Sequence, residues 1–325
     1  MKLRSVALAA AGLAAGYAAE RALLGRERHS PDRGALEDFR FPADVMRHDV
    51  STSDGGCLRV VEAGAGTPLV LLHGVSLSSL TWHYQVADLR DRYRVIAVDH
   101  RGHGESRAGA GDWTISRLAL DLRELLDALD LRGAVVVGHS MGGMVALRLA
   151  VDHAATVEER LAGLVLMSTS AGPVHRLAAY DAVTRALARP AASGLRLAER
   201  MPGGAFRESD LTYLMFRLGF GSRPSPTHVE MNRMMTASNP VSGWAELMSG
   251  VISFDVEDEL ARIETPALVV VGSRDLLTPL AQADLMARTL PHARLEVLQG
   301  GGHMLMLERR AEVDGLLDGF AREVA

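Results

Sequence analysis

From Met46 onward, short runs of Val, Ile and Leu alternate with longer segments whose apolar positions recur at helical spacing. A short run with no polar alternation is the mark of a strand covered on both faces, and intervening helices supply the covers, so the pattern predicts a mostly parallel sheet flanked by helices. The predicted strands are Pro68–His73, Arg94–Asp99, Ala134–Gly138, Leu161–Met167, Ala267–Gly272 and Arg294–Leu298. Ahead of them, Arg47–Ser51 and Leu58–Glu62 flank the turn signal Asp54-Gly55-Gly56 and predict an antiparallel hairpin at the sheet edge, which brings the sheet to eight strands.

One interval breaks this rhythm. Between Ser168 and Pro266 no segment reads as a strand, and helices are expected over Asp210–Leu218, after Ser225 as N-cap with Pro226 at the first helical position, and after Asn239 with Pro240. A helical excursion between two parallel strands whose C-terminal ends carry functional loops reads as a cap over a site. The expected organisation is an N-terminal segment and polar linker over 1–44, a core over 45–171, a helical cap over 172–263 and the rest of the core over 264–325.

The N-terminal segment has its own character. Lys2 and Arg4 precede an apolar stretch from Val6 to Ala19, closed by Glu20 and Arg21. A stretch of about 14 apolar residues is shorter than the roughly 17–25 of a spanning helix, but suits a signal-peptide core, and Gly16-Tyr17-Ala18 approximates a small-x-small cleavage site. The expectation is export or membrane association at the cell envelope; the alternative is an Ala-rich helix of a cytoplasmic protein.

Composition narrows the classes further. An apolar fraction of 48% and a charged fraction of 23% over 325 residues argue against disorder and against a polytopic membrane protein. A net charge of -5 with no basic cluster excludes a nucleic-acid partner, and the lone Cys57 has no partner for a disulfide and no CxxC context. No metal cluster, dinucleotide fingerprint or phosphate loop occurs in the sequence, so no cofactor is implied.

The strongest chemical signal is Gly138-His139-Ser140-Met141-Gly142-Gly143, where a buried strand gives way to a helix. In G-x-S-x-G the serine sits on a strained turn that lifts its hydroxyl off the sheet, and small residues on either side let the backbones approach. The helix N-terminus behind it offers unpaired amides, so the Met141 N–H is the first candidate for an oxyanion hole. A serine hydroxyl needs a base. His303, in Gly300-Gly301-Gly302-His303-Met304 after the last strand, is the candidate, with Asp275 in Ser273-Arg274-Asp275 as the carboxylate that orients it. The order Ser140, Asp275, His303 is that of the α/β hydrolases. Val75, in His73-Gly74-Val75-Ser76, is the candidate for the second oxyanion amide. His139 is expected to pack, His73, His100 and His103 are secondary candidates for the base, and Asp99-His100-Arg101-Gly102-His103-Gly104-Glu105-Ser106 reads as a structural turn.

LLHG at 71–74, DHRGHGES at 99–106, GHSMGG at 138–143 and the VVVGSRD and GGGH pair occur in the order that marks the α/β-hydrolase superfamily. From about Val60 to Arg322 the chain resembles its helical-cap, serine-nucleophile branch, which contains carboxylesterases, monoacylglycerol lipases, cofactor-free haloperoxidases and C–C bond hydrolases. Epoxide hydrolases and haloalkane dehalogenases carry aspartate where Ser140 stands. The resemblance implies a carboxylic-ester hydrolase acting on a small-molecule ester. A perhydrolase or transacylase using the same serine, and a slow-turnover ligand-binding protein, are the alternatives.

The cap segment concentrates soft apolar side chains: Met201, Leu214, Met215, Phe216, Phe220, Met231, Met234, Met235, Trp244 and Met248. Some, with Met231 and Met234 in view, are expected to form a seam with the core. The rest, with Met215, Phe216 and Trp244 foremost, are expected to bind substrate, which predicts a preference for apolar esters of short to medium acyl chain. No basic anchor for a carboxylate substrate stands out there, and Arg217 and Arg233 are two cap residues of the right charge.

Overall fold

A computed structural model describes residues 39–173, 213, 216–238 and 243–325. Its frame is one eight-stranded sheet in the order β1-β2-β4-β3-β5-β6-β7-β8, where β1 is Met46–Ser51, β2 Cys57–Ala63, β3 Pro68–Leu72, β4 Arg94–Val98, β5 Ala134–His139, β6 Leu161–Met167, β7 Ala267–Gly272 and β8 Ala293–Leu298. The β1–β2 hairpin pairs Met46 with Glu62 and Ser51 with Cys57, and β2 runs antiparallel to β4. All pairings from β4 across to β8 are parallel. Every predicted strand is present.

Because successive side chains point to opposite faces, each uninterrupted apolar strand feeds two cores. Val70, Leu72, Ile96, Val98 and Val136 pack on one face with Leu118, Leu122 and Leu125 of α2 (Ile115–Ala128) and Met144 and Val145 of α3 (Met141–Asp152). Leu69, Leu71, Val95, Ala97, Val135 and Val137 pack on the other, with Val86 and Leu89 of α1 (His83–Leu89) and Val313, Leu317 and Phe320 of α9 (Arg310–Val324). Burying one such side chain contributes roughly 1.5–3 kcal/mol, so truncating any of them to Ala destabilises the frame. Among the described residues the remaining helices are α4 (Ala154–Arg160), α5 (Pro226–Ser238), α6 (Trp244–Ser253), α7 (Leu280–Thr289) and α8 (Leu305–Glu308).

The strand order locates the crevice. From β3 the chain steps to β4 on one side and then crosses to β5 on the other, and the loops leaving β3 and β5 part at this switch point. Those loops are His73–Ser76 and the turn at Ser140.

Between β6 and β7 the described residues hold the helices α5 and α6 and no strand. Helix α5 starts at Pro226 as its fixed φ favours, but the Ser225 hydroxyl makes no hydrogen bond, so the serine does not cap with its side chain. Met231 and Met235 are buried, with Met235 and Phe220 inside the apolar layer under α1. Met234 is 57% exposed, against the expectation of a buried seam: Glu230, Met234 and Ser238 recur every four residues and form the stripe of α5 that faces outward. Phe216 is half-buried against the same layer. Met201, Leu214 and Met215, most of the expected helix over 210–218, the Asn239-Pro240 start and the apolar run Val6–Ala19 lie outside the described residues, as does the side chain of Trp244. Among the described residues no helix is long and apolar enough to cross a membrane.

Candidate active site

The turn between β5 and α3 carries Ser140 at φ 53°, ψ −117°, a conformation that costs a non-glycine residue on the order of 1–3 kcal/mol. Its neighbours hold it there. The Ser140 N–H donates to the Met167 carbonyl at 2.9 Å and the Thr169 hydroxyl to the Ser140 carbonyl at 2.7 Å, so β6 grips the turn from one side. Space requires the glycines. A Cβ on Gly138 would stand 2.4 Å from the Gly142 carbonyl oxygen, and one on Gly142 would stand 2.4 Å from that of Leu72. Helix geometry leaves the Met141 amide at the head of α3 without an intrahelical acceptor.

The loop after β3 lies directly against this turn, since a Cβ on Gly74 would come within 3.2 Å of Ser140 Cβ and 2.9 Å of His139 Nδ1. Its shape is fixed from below by imidazoles. Ser76 sits at φ 65° and its N–H donates to His103 Nε2 at 3.2 Å, while His103 Nδ1 donates to the Arg101 carbonyl at 3.0 Å. His73 Nδ1 donates to the Gly74 carbonyl at 2.7 Å and His73 Nε2 accepts the His100 N–H at 3.0 Å. Burial holds these rings neutral: it pushes His100 down to about 3 and His103 to about 4, and drives His73 well below its ordinary value. Asp99 accepts the Ser79 and Glu105 amides, and Arg101 is held by Asp121 and Asp54. The turn over 99–106 is thus the scaffold that the sequence pattern suggests, and its histidines are braces of the β3 loop.

Asp275 and His303 meet across the ends of β7 and β8. Asp275 Oδ1 accepts the Leu277 and Thr278 amides at 2.9 Å each, and Oδ2 accepts the Thr278 hydroxyl at 2.9 Å and His303 Nδ1–H at 2.9 Å. The Asp275 side chain is fully buried. Burial alone would raise its pKa, but the imidazolium charge, the Nδ1–H bond and the Thr278 bonds outweigh it and hold Asp275 below the ordinary carboxylate range. With Nδ1 as donor, the Nε2 of neutral His303 is left as an acceptor, the tautomer a general base needs.

The His303 loop touches the serine turn through His139. His139 Nε2–H donates to the His303 carbonyl at 2.9 Å and the two rings lie 4.8 Å apart, so the residue expected only to pack also ties the loop to β5. Burial pushes His139 down to about 3, with the neighbouring His303 charge adding to the effect. The structure therefore brings Ser140, Met141, the Gly74–Val75 loop, Asp275 and His303 to the carboxyl ends of β3, β5, β7 and β8. Sequence reasoning did not find Thr278, which bonds both triad candidates, with its Oγ1 3.3 Å from His303 Nδ1, or Glu308, which accepts amides on both sides of His303. A Thr-Pro step after Asp275 is a signal for the former; nothing local marks the latter. Of the two basic residues singled out in the cap, Arg233 pairs with Glu230 and Arg217 donates to the Gly221 carbonyl.

Comparison with known proteins agrees with this frame. The sequence model of the α/β-hydrolase fold matches residues 67–310, and the chain belongs to that family. An esterase from Thermogutta terrifontis is 31% identical and superposes with a TM-score of 0.71, covering 86% of this chain and 99% of that one. Est816, described as an N-acyl homoserine lactone degrading enzyme, is 30% identical with a TM-score of 0.66 over 84% of this chain and all of its own, 100%. The 3-oxoadipate enol-lactonase 2 of Acinetobacter baylyi is 27% identical over 238 residues, 71% of this chain and 80% of its own length. The protein is a hydrolase with esterases among its structural neighbours.

Proposed function

We propose that the protein hydrolyses carboxylic esters through an acyl-enzyme on Ser140. The observation that carries this is the Asp275–His303 pair, buried and in the tautomer of a general base, on a loop that His139 ties to the strained serine turn. In the first half-reaction His303 Nε2 takes the Ser140 proton as the hydroxyl oxygen attacks the ester carbonyl, and Asp275 stabilises the imidazolium without taking the proton. The Met141 and Val75 amides are assigned to the oxyanion, because one heads α3 and the other lies in the loop packed on Ser140. His303 then gives the proton to the leaving alkoxide, and water repeats the sequence in reverse to release the acid.

A lactone is a cyclic ester, so the names of the esterase and the enol-lactonase describe one bond chemistry, which supports an ester as the substrate. The reading extends to apolar acyl chains of short to medium length, supported by the ion-paired state of Arg233 and by the half-buried Phe216 and Met248. Association with the cell envelope through residues 6–19 belongs to the same proposal and rests on their sequence pattern.

The deciding experiment measures kcat/KM for acetyl, butyryl, octanoyl and palmitoyl esters of one alcohol with wild type and Ser140→Ala, alongside fluorophosphonate labelling. One labelled residue, lost in Ser140→Ala, and a maximum between butyryl and octanoyl are expected. Labelling that survives in the variant, or product formed only with peroxide or an added alcohol as acceptor, would overturn the reading.

A further inference from the structure

The segment that leads from the cap towards α5 and the loop that carries His303 are bonded backbone to backbone. The His303 N–H donates to the Gly219 carbonyl at 2.8 Å, and the Ser222 N–H to the Gly300 carbonyl at 3.2 Å. No side chain fits between them. A Cβ on Gly221 would stand 2.1 Å from the Gly300 oxygen, and one on Gly302 would stand 2.3 Å from the Gly221 nitrogen. At the centre of this contact lies the Glu308 carboxylate at the end of α8. Its Oε2 accepts the Gly221 N–H at 2.7 Å, both oxygens share the Gly302 N–H at 3.1 and 3.2 Å, and Oε1 accepts the Met304 N–H at 3.1 Å.

Amides immediately before and after His303, and a third from the cap side, thus converge on one half-buried side chain. An ionised carboxylate has two oxygens and no proton of its own, so it receives three such donors without conflict. The imidazole of His303 is fixed at its ring by Asp275 and at its backbone carbonyl by His139, which leaves the amides flanking it to Glu308. We infer that Glu308 is a positioning residue: it sets the backbone of His303, and so the place of the imidazole relative to Ser140, and locks that place to the 219–222 segment. This rests on His303 being the base of the proposed reaction.

Glu308→Gln tests it. The amide side chain keeps the shape but turns an NH2 towards backbone N–H groups, so at least one of the three donors loses its acceptor. A shift of the imidazole by about 1 Å costs on the order of 10²-fold in rate. The expected result with p-nitrophenyl butyrate is a kcat lower by about 10- to 100-fold with KM within about twofold of wild type. The second readout needs no substrate: the downfield proton resonance of His303 Nδ1–H, bonded to Asp275 in wild type, should shift or broaden in Glu308→Gln. If the folded variant keeps both the wild-type kcat and the wild-type resonance, the inference is overturned. If wild type turns over no ester, the reaction proposed above fails while the resonance still decides the role of Glu308. Should Glu308→Gln not fold, Glu308→Asp takes its place, since it keeps the charge but withdraws it by one methylene; the same losses support the inference, and wild-type kcat with an unshifted resonance overturns it.

Discussion

Two clusters of buried histidine lie side by side at the carboxyl ends of the strands. Under the β3 loop, His73 and His103 have both ring nitrogens bonded to backbone groups, and His100 packs edge-on against His73. Beside the serine turn, His139 also bonds backbone, but His303 alone faces a carboxylate. All are sequestered from water. What separates the proposed base from the braces is the partner: His303 Nδ1 faces the Asp275 carboxylate, whereas a ring bonded only to peptide groups in an apolar setting resists protonation.

The comparison breaks first on activity. Ser140→Ala or His303→Ala should lower kcat by about 10⁴–10⁶-fold, and Asp275→Asn by about 10⁴-fold. His103→Ala and His139→Ala, with folding checked by circular dichroism, should lose far less, on the order of 10²-fold, because each only loosens a loop. Equal losses for His139→Ala and His303→Ala would erase the distinction between base and brace.

The same contrast between charged and neutral partners governs stability. Arg101, 1% exposed, is forked onto Asp121 through Nε and Nη2 at 2.6 and 2.7 Å and reaches Asp54 through Nη1 at 2.9 Å. Asp121→Ala leaves that guanidinium buried with half its partners, and should destabilise the fold by about 3–5 kcal/mol in urea titrations. A loss under about 1 kcal/mol would mean that Asp54 alone satisfies the guanidinium.

The neutral rings sharpen the comparison through pH. Folded values of about 4 for His83, 3 for His100, 4 for His103 and 3 for His139 lie below the unfolded value of about 6.5. The unfolded chain therefore binds more protons than the folded one below pH 6.5. Their stabilisation is complete above that pH and is lost as pH falls from 6.5 towards 3 or 4, each ring contributing a slope of about 1.4 kcal/mol per pH unit in that window. Urea midpoints at pH 7.5 and 5.5 should differ clearly. His100→Phe removes one titrating ring whose Nε2 has no hydrogen bond and should flatten the slope by about one ring's share; an unchanged slope would deny the ring its low value.

How far the sequence reveals all this depends on the range of the signal. The strands are legible because each is a contiguous apolar run, and Ser140, Asp275 and His303 stand out as candidates because each sits in a short motif at a strand end. The 99–106 segment was legible as a structural turn from its glycines and its charged pair, but the bracing by His100 and His103 was not. Glu308 was not, because its meaning lies in three amides from segments more than 80 residues apart in sequence, Gly221 on one side and Gly302 and Met304 on the other. Nor was the exposure of Met234: helical spacing gives a stripe, and only the packing of α5 decides which stripe faces out.

The N-terminal edge offers a third kind of buried histidine, which allows the role of burial to be isolated. His83 bonds only the Leu80 carbonyl, and the Phe39 ring covers it edge-on at 4.9 Å, far in sequence from the serine motif. Phe39, Phe41 and Val45 pack on the apolar layer under α1, although they precede the first strand. A chain starting at Asp38 therefore retains this cover and is expected to be soluble and as active as the full-length protein. A chain starting at Val45 loses both phenylalanines. It should remain active, since no residue of the site is touched, but be less stable by about 2–4 kcal/mol, the transfer energy of one to two phenyl rings on a partly exposed edge. Its His83 should titrate closer to 6.5, because water now reaches the ring; proton NMR of the imidazole in the two chains reads this directly. If His83 stays near 4 without Phe39, the depression belongs to Arg310 and His228 nearby and not to burial, and the rule drawn from the two clusters would not extend to this ring.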